Sequence, residues 1–425
     1  MVRKRKLFYG WWVAWTAALL NFFAGGTFIY GFTVFFNPIR NTFGWSSTVT
    51  SVAFSLRGLE IGLLDPIVGL LVDRVGPRKL LFAGWGMLGL GFLLMSRINS
   101  IWSFYATFLL LTAGFSFGSF VVLNTAITHW FNKKRSRALG IIYVGMGASG
   151  LLAPLLALSI DQLGWRTTLV VIGIVSLTVV MPLCTLMKHK PEQYGYLPDG
   201  ETRETTNETA GETDSDSPNR LEAKPRDSSA TEFTATAALK TRAFWLLSAA
   251  FFFQHISIGA VNVHIVPYLE SVNVPTTLAA TTVTGMTLCS LIGRLGFGFL
   301  GDYTNKRYLV AIAVTIQTIG LLFFSFIDTD TAWLIIPFLL TYGPGYGGPV
   351  PLRAALLADY FGRRSFGTIL GWLAFITMLG GVASPVIAGW VFDTTGNYRV
   401  AWQAITLITI PAIPLILLCK PPKAN

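Results

Sequence analysis

Long apolar runs alternate with short polar loops along most of the chain. The runs are about 20 residues long, which is the length that an α-helix needs to cross the hydrocarbon core of a membrane. This pattern predicts twelve membrane-spanning helices. The predicted spans are 11–36, 48–72, 80–96, 101–128, 139–160, 167–187, 244–268, 277–300, 308–327, 332–357, 366–392 and 401–419.

A polar segment separates the sixth predicted span from the seventh. It is rich in Glu, Asp, Thr and Ser and nearly free of large apolar residues up to about residue 233, so it cannot bury enough apolar surface to fold alone. We therefore predict three parts: a six-helix bundle over residues 1–189, a flexible cytoplasmic linker over 190–240, and a second six-helix bundle over 241–425.

The two six-helix halves repeat each other at an offset of about 230 residues. GLLVDR at 69–74 corresponds to GFLGDY at 298–303, and HWFNKKR at 129–135 corresponds to DYFGRR at 359–364. Matched helical halves are typical of membrane transporters, in which the binding site lies near the bilayer midplane between the repeats. The repeat therefore predicts a site between the two halves.

The composition supports a membrane location. Charged residues make up 12% of the chain and hydrophobic residues 52%, whereas soluble domains carry about 25% charged residues. The net charge of +11 would suit a nucleic-acid partner, but most basic residues lie in alternate short loops, as the positive-inside rule describes for cytoplasmic loops. We therefore expect a multi-pass protein of the cell membrane with both termini in the cytoplasm, and no nucleic-acid partner.

The most specific motif lies between the second and third predicted spans. Its defined positions are Gly69, Asp73, Arg74, Gly76, Arg78 and Lys79. The motif closely resembles the signature G-x-x-x-D-R-x-G-x-R-K of the major facilitator superfamily, and a degenerate second copy contains Asp302. We expect Gly69 to let a neighbouring helix approach closely, Asp73 to meet basic residues or a facing helix N-terminus, and Gly76 to form the tight turn.

Within that superfamily, the chain is similar to the monocarboxylate transporter and oxalate/formate antiporter branch. The similarity rests on FYGWWVAW in the first span, HKPEQYGYLPDG after the sixth, VNVHIVPYL in the seventh, and the single Arg294 in the eighth. It implies an all-α polytopic membrane protein with the major facilitator fold, in which twelve helices form two six-helix repeats. The implied function is secondary active transport of a small organic anion, a monocarboxylate, by alternating access.

The same resemblance sets expectations for coupling and partners. It implies proton symport or exchange for a counter-anion as the driving mechanism. We expect a monomer in the lipid bilayer, with no cofactor, no metal ion and no enzymatic activity. Two other functions also fit the sequence: transport of a neutral or amphipathic small molecule, and a transporter-like membrane sensor or scaffold that signals through the acidic linker.

Arg294 is the most informative single residue. It lies eight residues before Asp302, which places it about 12 Å from the end of its helix and near the middle of a roughly 30 Å hydrocarbon core. An arginine there costs about 2.5–3.5 kcal/mol, and its planar guanidinium matches a carboxylate in two-pronged geometry. The resemblance implies that Arg294 binds the substrate carboxylate. The structural alternative is a buried ion pair with an internal acid such as Asp65.

Other polar residues at membrane depth are further candidates. Those for substrate contact, after Arg294, are His264, Asn124, Tyr346, Tyr30 and Asn262. Proton coupling could use His264, because an imidazole titrates near pH 6.5, or the carboxyl groups of Glu60 and Asp65, because desolvation favours the neutral form of a carboxyl group. For Glu60, the structural alternative is a pair with Arg57, three residues earlier on the helix.

Two expectations concern the number of cations in the site. We assign His255 to the helix core, because a lone histidine on an apolar helix is more often a packed residue than a ligand. The eleventh predicted span contains no lysine or arginine, so that a second cation from that span is excluded. A single arginine at the midplane favours a substrate with one carboxylate.

Overall fold

The computed structural model describes residues 8–29, 31–45, 47–200, 232–395 and 397–422. Within these ranges the chain is helical, without any strand. Ten of the helices there are long and apolar enough to cross a membrane. The predicted all-α polytopic architecture is confirmed.

Twelve membrane segments can be followed through the described residues. In the first half, they are α1 (Tyr9–Ala24, a π-helical turn Gly25–Ile29, then Phe32–Phe43), α2 (Ser47–Val75), α3 (Pro77–Met95), α4 (Ile101–Gly118 and Phe120–Trp130), α5 (Arg135–Ala148, then Leu152–Leu163) and α6 (Trp165–Val175, continued by Ser176–Val180 and Met181–Leu183). In the second half, they are α7 (Arg242–Ser271), α8 (Thr276–Leu300), α9 (Lys306–Ser325), α10 (Ile335–Gly347 and Pro349–Phe361), α11 (Phe366–Thr395) and α12 (Tyr398–Thr409 and Ala412–Leu418).

Two departures from a plain apolar helix bear on the candidate site. Helix α2 carries Arg57, Glu60 and Asp65 within its length, and α10 is divided at Gly348, where Pro349 starts the second piece. Proline at the first helical position needs no backbone hydrogen bond, so the break costs little there. Both departures lie beside the central cavity described below.

The two halves pack mainly through α2 with α11 and α5 with α8, and α5 also contacts the second piece of α10. Small residues make these contacts close. A Cβ atom on Gly69 would collide with the carbonyl oxygen of Gly367, and a Cβ atom on Gly140 would lie 3.1 Å from the carbonyl oxygen of Arg294. At Gly69 the backbones therefore approach to a distance that only glycine permits, and at Gly140 they leave little room for a side chain, as is common between membrane helices.

An aromatic cluster fills the second half on the side away from the signature motif. The ring centroid of Phe324 lies 4.8 Å from that of Tyr268, 4.5 Å from that of Phe338 and 5.0 Å from that of Trp402. These rings come from α7, α9, α10 and α12, and each is almost completely buried. The cluster fixes four helices of the second half as one packed unit.

The ends of the 190–240 segment are structured, which differs from the prediction of a flexible linker throughout. Short helical turns occupy Pro191–Tyr194, Pro198–Gly200 and Ala235–Leu239. Phe233 is buried against the Phe361 ring, with centroids 5.6 Å apart. The apolar and aromatic residues at both ends of the segment explain its order. Residues 201–231 lie outside the described part of the chain.

Candidate functional site

The end of the molecule that carries Asp73 and Asp302 is here called the signature end. There, Asp73 of α2 caps the first turn of α11. Its carboxylate accepts hydrogen bonds from the backbone N–H of Gly367 at 2.9 Å, and from the N–H and hydroxyl of Thr368, both at 2.8 Å. The N-terminal N–H groups of a helix have no partners within the helix and carry partial positive charge, so a carboxylate is stabilising there.

Asp302 makes the equivalent contact in the opposite direction, from the second half to the first. Its carboxylate accepts from the backbone N–H of Ser136 at 2.9 Å and of Arg137 at 3.3 Å, at the start of α5, and lies 3.4 Å from Nε of Arg137. Burial raises the pKa of Asp302, and the backbone and guanidinium groups of Arg137 oppose that rise. Acidification should therefore protonate Asp302, and weaken this contact, at a higher pH than for an exposed aspartate.

A second layer of polar contacts joins the halves at the signature end. Asp359 of α10 pairs with Arg135 at 2.8 Å and with Lys306 at 2.6 Å. Arg363 donates to the carbonyl oxygen of His129 at 2.8 Å. Among the described residues, every hydrogen bond or ion pair between the halves lies at this end, except one made by Arg294. The structure is therefore closed at the signature end.

The other signature residues have different positions. Gly76 has φ = +88°, a backbone conformation that favours glycine, and a Cβ atom there would lie 3.1 Å from Nδ1 of His189. The side chains of Arg74, Arg78 and Lys79 are exposed at the signature end. The tight turn expected at Gly76 is thus present, and the basic side chains face outward.

Two carboxylates at the ends of the 190–240 segment bind the equivalent loops of the two halves. Asp199 accepts hydrogen bonds from backbone N–H groups of residues 132–134 at 2.7–3.1 Å. Glu232 accepts from the backbone N–H of Arg364 at 2.6 Å and of Arg363 at 3.4 Å. These contacts connect the ends of the segment to the loops before α5 and before α11.

Deleting residues 201–227 should leave folding and transport unchanged, because the deletion retains both Asp199 and Glu232. Substituting these two carboxylates together, as Asp199→Asn with Glu232→Gln, should instead lower the thermal stability of the protein. Thermal unfolding and uptake of the two variants, compared with wild type, test this expectation. A deletion variant that folds and binds ligand but loses its cellular effect would favour the sensor function.

A cavity of about 210 Å³ lies between the halves at the level of Arg294. Its lining comes from α4 and α5 of the first half and from α7, α8 and α10 of the second, and includes Tyr143, His255, Arg294, Tyr346 and Arg353. An adjoining cavity of about 290 Å³ shares Phe120, His255 and Arg353 with the first and is also lined by Asp65 and α11. We call the two together the central cavity.

Arg294 is buried, with 5% of its surface exposed. One terminal nitrogen, Nη1, donates to the backbone carbonyl of Tyr143 at 2.9 Å, across the interface between the halves. Nε has no hydrogen-bond partner among the described residues, and the guanidinium carbon lies 5.8 Å from the Tyr346 ring centroid. No ion pair within 4.0 Å joins Arg294 to Asp65 or to any other described carboxylate. The structure thus does not contain the buried pair considered as the alternative.

A second buried arginine, Arg353 of α10, lines both parts of the central cavity. Its Nη1 lies 3.5 Å from Nε2 of His255, and its guanidinium carbon lies 5.3 Å from the Phe120 ring and 5.8 Å from the Phe251 ring. The expectation of a single arginine at the midplane is therefore wrong. His255, assigned to the helix core from the sequence, lines the cavity instead.

The repeat contains a signal that could have found Arg353. Arg353 lies 229 residues after Asn124, the same offset that separates Arg294 from Asp65. The breaks in α4 at Ser119 and in α10 at Gly348 are also 229 residues apart. Applying the repeat offset to each candidate in the first half would have placed Arg353 beside Arg294.

Asn124 and Tyr346 support the cavity in different ways. Asn124 is fully buried behind Tyr143, and its amide both donates to the Tyr143 hydroxyl at 2.7 Å and accepts from it at 3.0 Å. Tyr346 lines the cavity directly. Asn124 therefore positions a lining residue, whereas Tyr346 is placed to contact a ligand.

The charged residues of α2 do not form the pair considered for them. Arg57 donates from Nη1 to the carbonyl oxygens of Phe28 at 3.3 Å and Ile29 at 3.5 Å. No ion pair within 4.0 Å joins it to Glu60, whose Oε2 is buried without a hydrogen-bond partner among the described residues. Asp65 lies five residues further along the helix, is 6% exposed, and lines the central cavity.

The remaining candidates lie away from this cavity. His264 is held between the Tyr398 hydroxyl, 3.1 Å from Nδ1, and the Pro385 carbonyl, 2.9 Å from Nε2. Asn262 is exposed, and neither residue lines the central cavity. Tyr30 lies outside the described residues. The structure thus brings Arg294, Asp65 and Tyr346 together and leaves His264 in a separate site within the second half.

Comparison with known proteins gives one consistent family. The family profile described as Major Facilitator Superfamily matches residues 14–383 and, in a second match, 271–425. Mouse monocarboxylate transporter 12 is 26% identical over 381 residues, which are 87% of this chain and 77% of that protein. A Bacillus subtilis protein named uncharacterized MFS-type transporter YcxA is 26% identical over 396 residues, covering 90% of each chain.

The fold is also similar to solved structures. The E. coli fucose:proton symporter FucP superposes with a TM-score of 0.70, over 97% of this chain and 100% of that chain, at 15% sequence identity. At that identity the similarity concerns the fold alone. It agrees with the two six-helix halves described above.

Proposed function

Since the chain belongs to the Major Facilitator Superfamily, we propose that it is a secondary active transporter of a small organic anion that works by alternating access. Its relatives show that it is a multi-pass membrane transporter with a small-molecule substrate, and that it is not an enzyme. The substrate class and the coupling are our proposal. The name of mouse monocarboxylate transporter 12 suggests a monocarboxylate.

The observation that carries the proposal is the state of Arg294. A guanidinium that is buried between the halves, bonded at one nitrogen to the Tyr143 carbonyl and unpaired at Nε, can bind a carboxylate in two-pronged geometry. Tyr346 lies beside it as a further contact for the substrate. A neutral substrate would leave the charge of Arg294 without compensation, which is costly at membrane depth. The anion is therefore the substrate that this cavity fits best.

The contacts at the signature end support alternating access. Asp73 and Asp302 each hold the N-terminus of a helix in the opposite half, so opening this end requires both contacts to break together. If the signature end faces the cytoplasm, as the loop charges suggest, the structure corresponds to an outward-facing state. Substrate would then enter from outside and leave after these contacts separate.

For coupling, we propose that Asp65 carries the proton. Among the residues that the structure describes, it is the carboxyl group that lines the central cavity, together with Arg353 and His255. His264 instead bonds to Tyr398 and Pro385 away from this cavity. Glu60, five residues before Asp65 on the same helix, is the second candidate. Exchange for a counter-anion remains the alternative mechanism.

Asp65→Asn should remove the pH dependence of uptake, because asparagine cannot exchange a proton. His264→Gln should keep that pH dependence if His264 has only a structural role. The measurement is substrate-driven alkalinisation outside vesicles that contain wild type or either variant. If His264→Gln alone loses the pH dependence, His264 is the proton carrier. If Glu60→Gln alone loses it, the proton carrier is Glu60. Electroneutral exchange without a pH change would favour the antiport mechanism.

The substrate class can be tested on purified protein. Small carboxylates should raise the midpoint of thermal unfolding, because a ligand that binds only the folded state stabilises it. Matched amides of the same acids should have no effect, since they lack the charge that Arg294 compensates. Stabilisation by amides as much as by acids would reject the anion and favour a neutral substrate.

A further inference from the structure

We propose that Arg353, oriented by His255, forms a second anion subsite in the central cavity, so that the transporter also accepts short dicarboxylates, with one carboxylate on Arg294 and the other on Arg353. This inference rests on the transport function proposed above. It extends the substrate class from one carboxylate to two.

The hydrogen bonds of His255 fix the direction of its lone pair. Nδ1 lies 3.0 Å from the backbone carbonyl of Phe251. A carbonyl oxygen only accepts, so Nδ1 carries the proton and Nε2 of the neutral ring is an acceptor. Nε2 faces Nη1 of Arg353 at 3.5 Å, and therefore His255 orients the guanidinium without adding a competing charge.

Arg353 lies against two aromatic rings and has an unpaired donor, Nε, on one edge of its guanidinium. The Phe120 and Phe251 rings lie against its guanidinium, which cation–π attraction stabilises. Arg353 is 9% exposed, and its Nε has no hydrogen-bond partner among the described residues. The edge formed by Nε and the second terminal nitrogen is the one that binds a carboxylate side-on.

Arg294 has the same arrangement. One of its terminal nitrogens is bound to the Tyr143 carbonyl, and its buried Nε is without a partner. Both guanidiniums line the same part of the central cavity, with a volume of about 210 Å³. Two guanidinium edges in one small space, each with an unpaired Nε donor, match two carboxylates of one short molecule.

The charges around the cavity decide how a dianion can be accommodated. Among the described residues, Asp65 is the carboxyl group of the lining, and no ion pair within 4.0 Å joins it to Arg353. The other groups that face Asp65 are His255 from α7, Phe120 from α4 and uncharged residues of α11. When Asp65 is ionised, its charge and that of a bound monocarboxylate together match the two positive charges of Arg294 and Arg353. A dicarboxylate balances them when Asp65 holds a proton.

Succinate and butyrate, which share a four-carbon chain, provide the test. Their binding to purified full-length protein is measured by calorimetry at neutral pH. We expect wild type to bind succinate more tightly than butyrate. Arg353→Gln should weaken succinate binding about tenfold more than it weakens butyrate binding, a difference equivalent to about 1.4 kcal/mol. Asp65→Asn should shift the preference further toward succinate, because it removes the competing carboxylate.

A role of Arg353 in balancing the charge of Asp65 would give a different pattern. Arg353→Gln would then weaken both acids equally, and the double variant with Asp65→Asn would restore both; this result would overturn the inference. If Arg353→Gln does not fold, Arg353→Lys replaces it, since lysine keeps the charge but lacks the Nε edge. If wild type binds butyrate but shows no preference for succinate, the second subsite is rejected and the proposed transport function stands. A wild type that binds neither acid contradicts the proposed function itself.

Discussion

Arg294→Lys is expected to lose about 100-fold in affinity for small carboxylates while the protein still folds and inserts. Lysine keeps the positive charge but not the planar two-pronged donor, and a loss of 100-fold corresponds to about 2.7 kcal/mol. That is within the range for one or two hydrogen bonds to a charged group, each about 1.5–3 kcal/mol. Binding of a monocarboxylate to purified protein measures the loss, and thermal unfolding checks the fold.

Arg399→Lys is the matched control for this substitution. Arg399 pairs with Asp328 at 3.3 Å on an exposed surface of the second half, where an ion pair contributes little. It should bind substrate as wild type does. Unchanged affinity in Arg294→Lys would remove Arg294 from the binding site, and wild-type uptake by Arg294→Ala would do so more decisively.

Asp73→Asn is expected to shift the protein toward a state that is open at the signature end. The substitution removes the charge that accepts three hydrogen bonds from Gly367 and Thr368. Hydrogen bonds to charged groups contribute about 1.5–3 kcal/mol each, so the loss is comparable to the free-energy difference between the conformations of a typical two-state protein, a few kcal/mol. Transport should fall, because one of the two states becomes too stable.

Labelling of a cysteine in the central cavity measures this shift. Met146 lines the cavity, and Met146→Cys in a Cys289→Ser background leaves only the buried Cys184 and Cys419 besides it. An impermeant thiol reagent at the signature end should label this cysteine in Asp73→Asn much faster than in the parent. Arg78→Gln, which changes an exposed side chain of the same motif, is the control. Equal labelling in all three would mean that Asp73 does not hold this end closed.

The membrane helices were predictable because their signal is composition over a long window. Twenty apolar residues have few alternatives to a membrane helix, so even α2, which carries Arg57, Glu60 and Asp65 within its length, was placed correctly. The break in α10 follows from Pro349 after a run of glycines. The ends of the 190–240 segment were less predictable, because their order depends on single contacts such as Asp199 with the loop before α5.

The site was only partly predictable. Arg294 and Asp65 stand out in the sequence because a charge within an apolar helix is costly. Arg353 lies four residues before the end of the predicted span 332–357, so its depth in the membrane depends on where α10 breaks. The place of His264 could not be derived from spacing along α7, because its partners Pro385 and Tyr398 come from α11 and α12.

Uptake into proteoliposomes tests the central claim, that a carboxylate bound by Arg294 is carried between the two halves. Purified wild type should take up a labelled monocarboxylate in a saturable manner, whereas Arg294→Gln should match protein-free liposomes and Arg399→Lys should match wild type. Saturable uptake that is equal in wild type and Arg294→Gln would contradict the account.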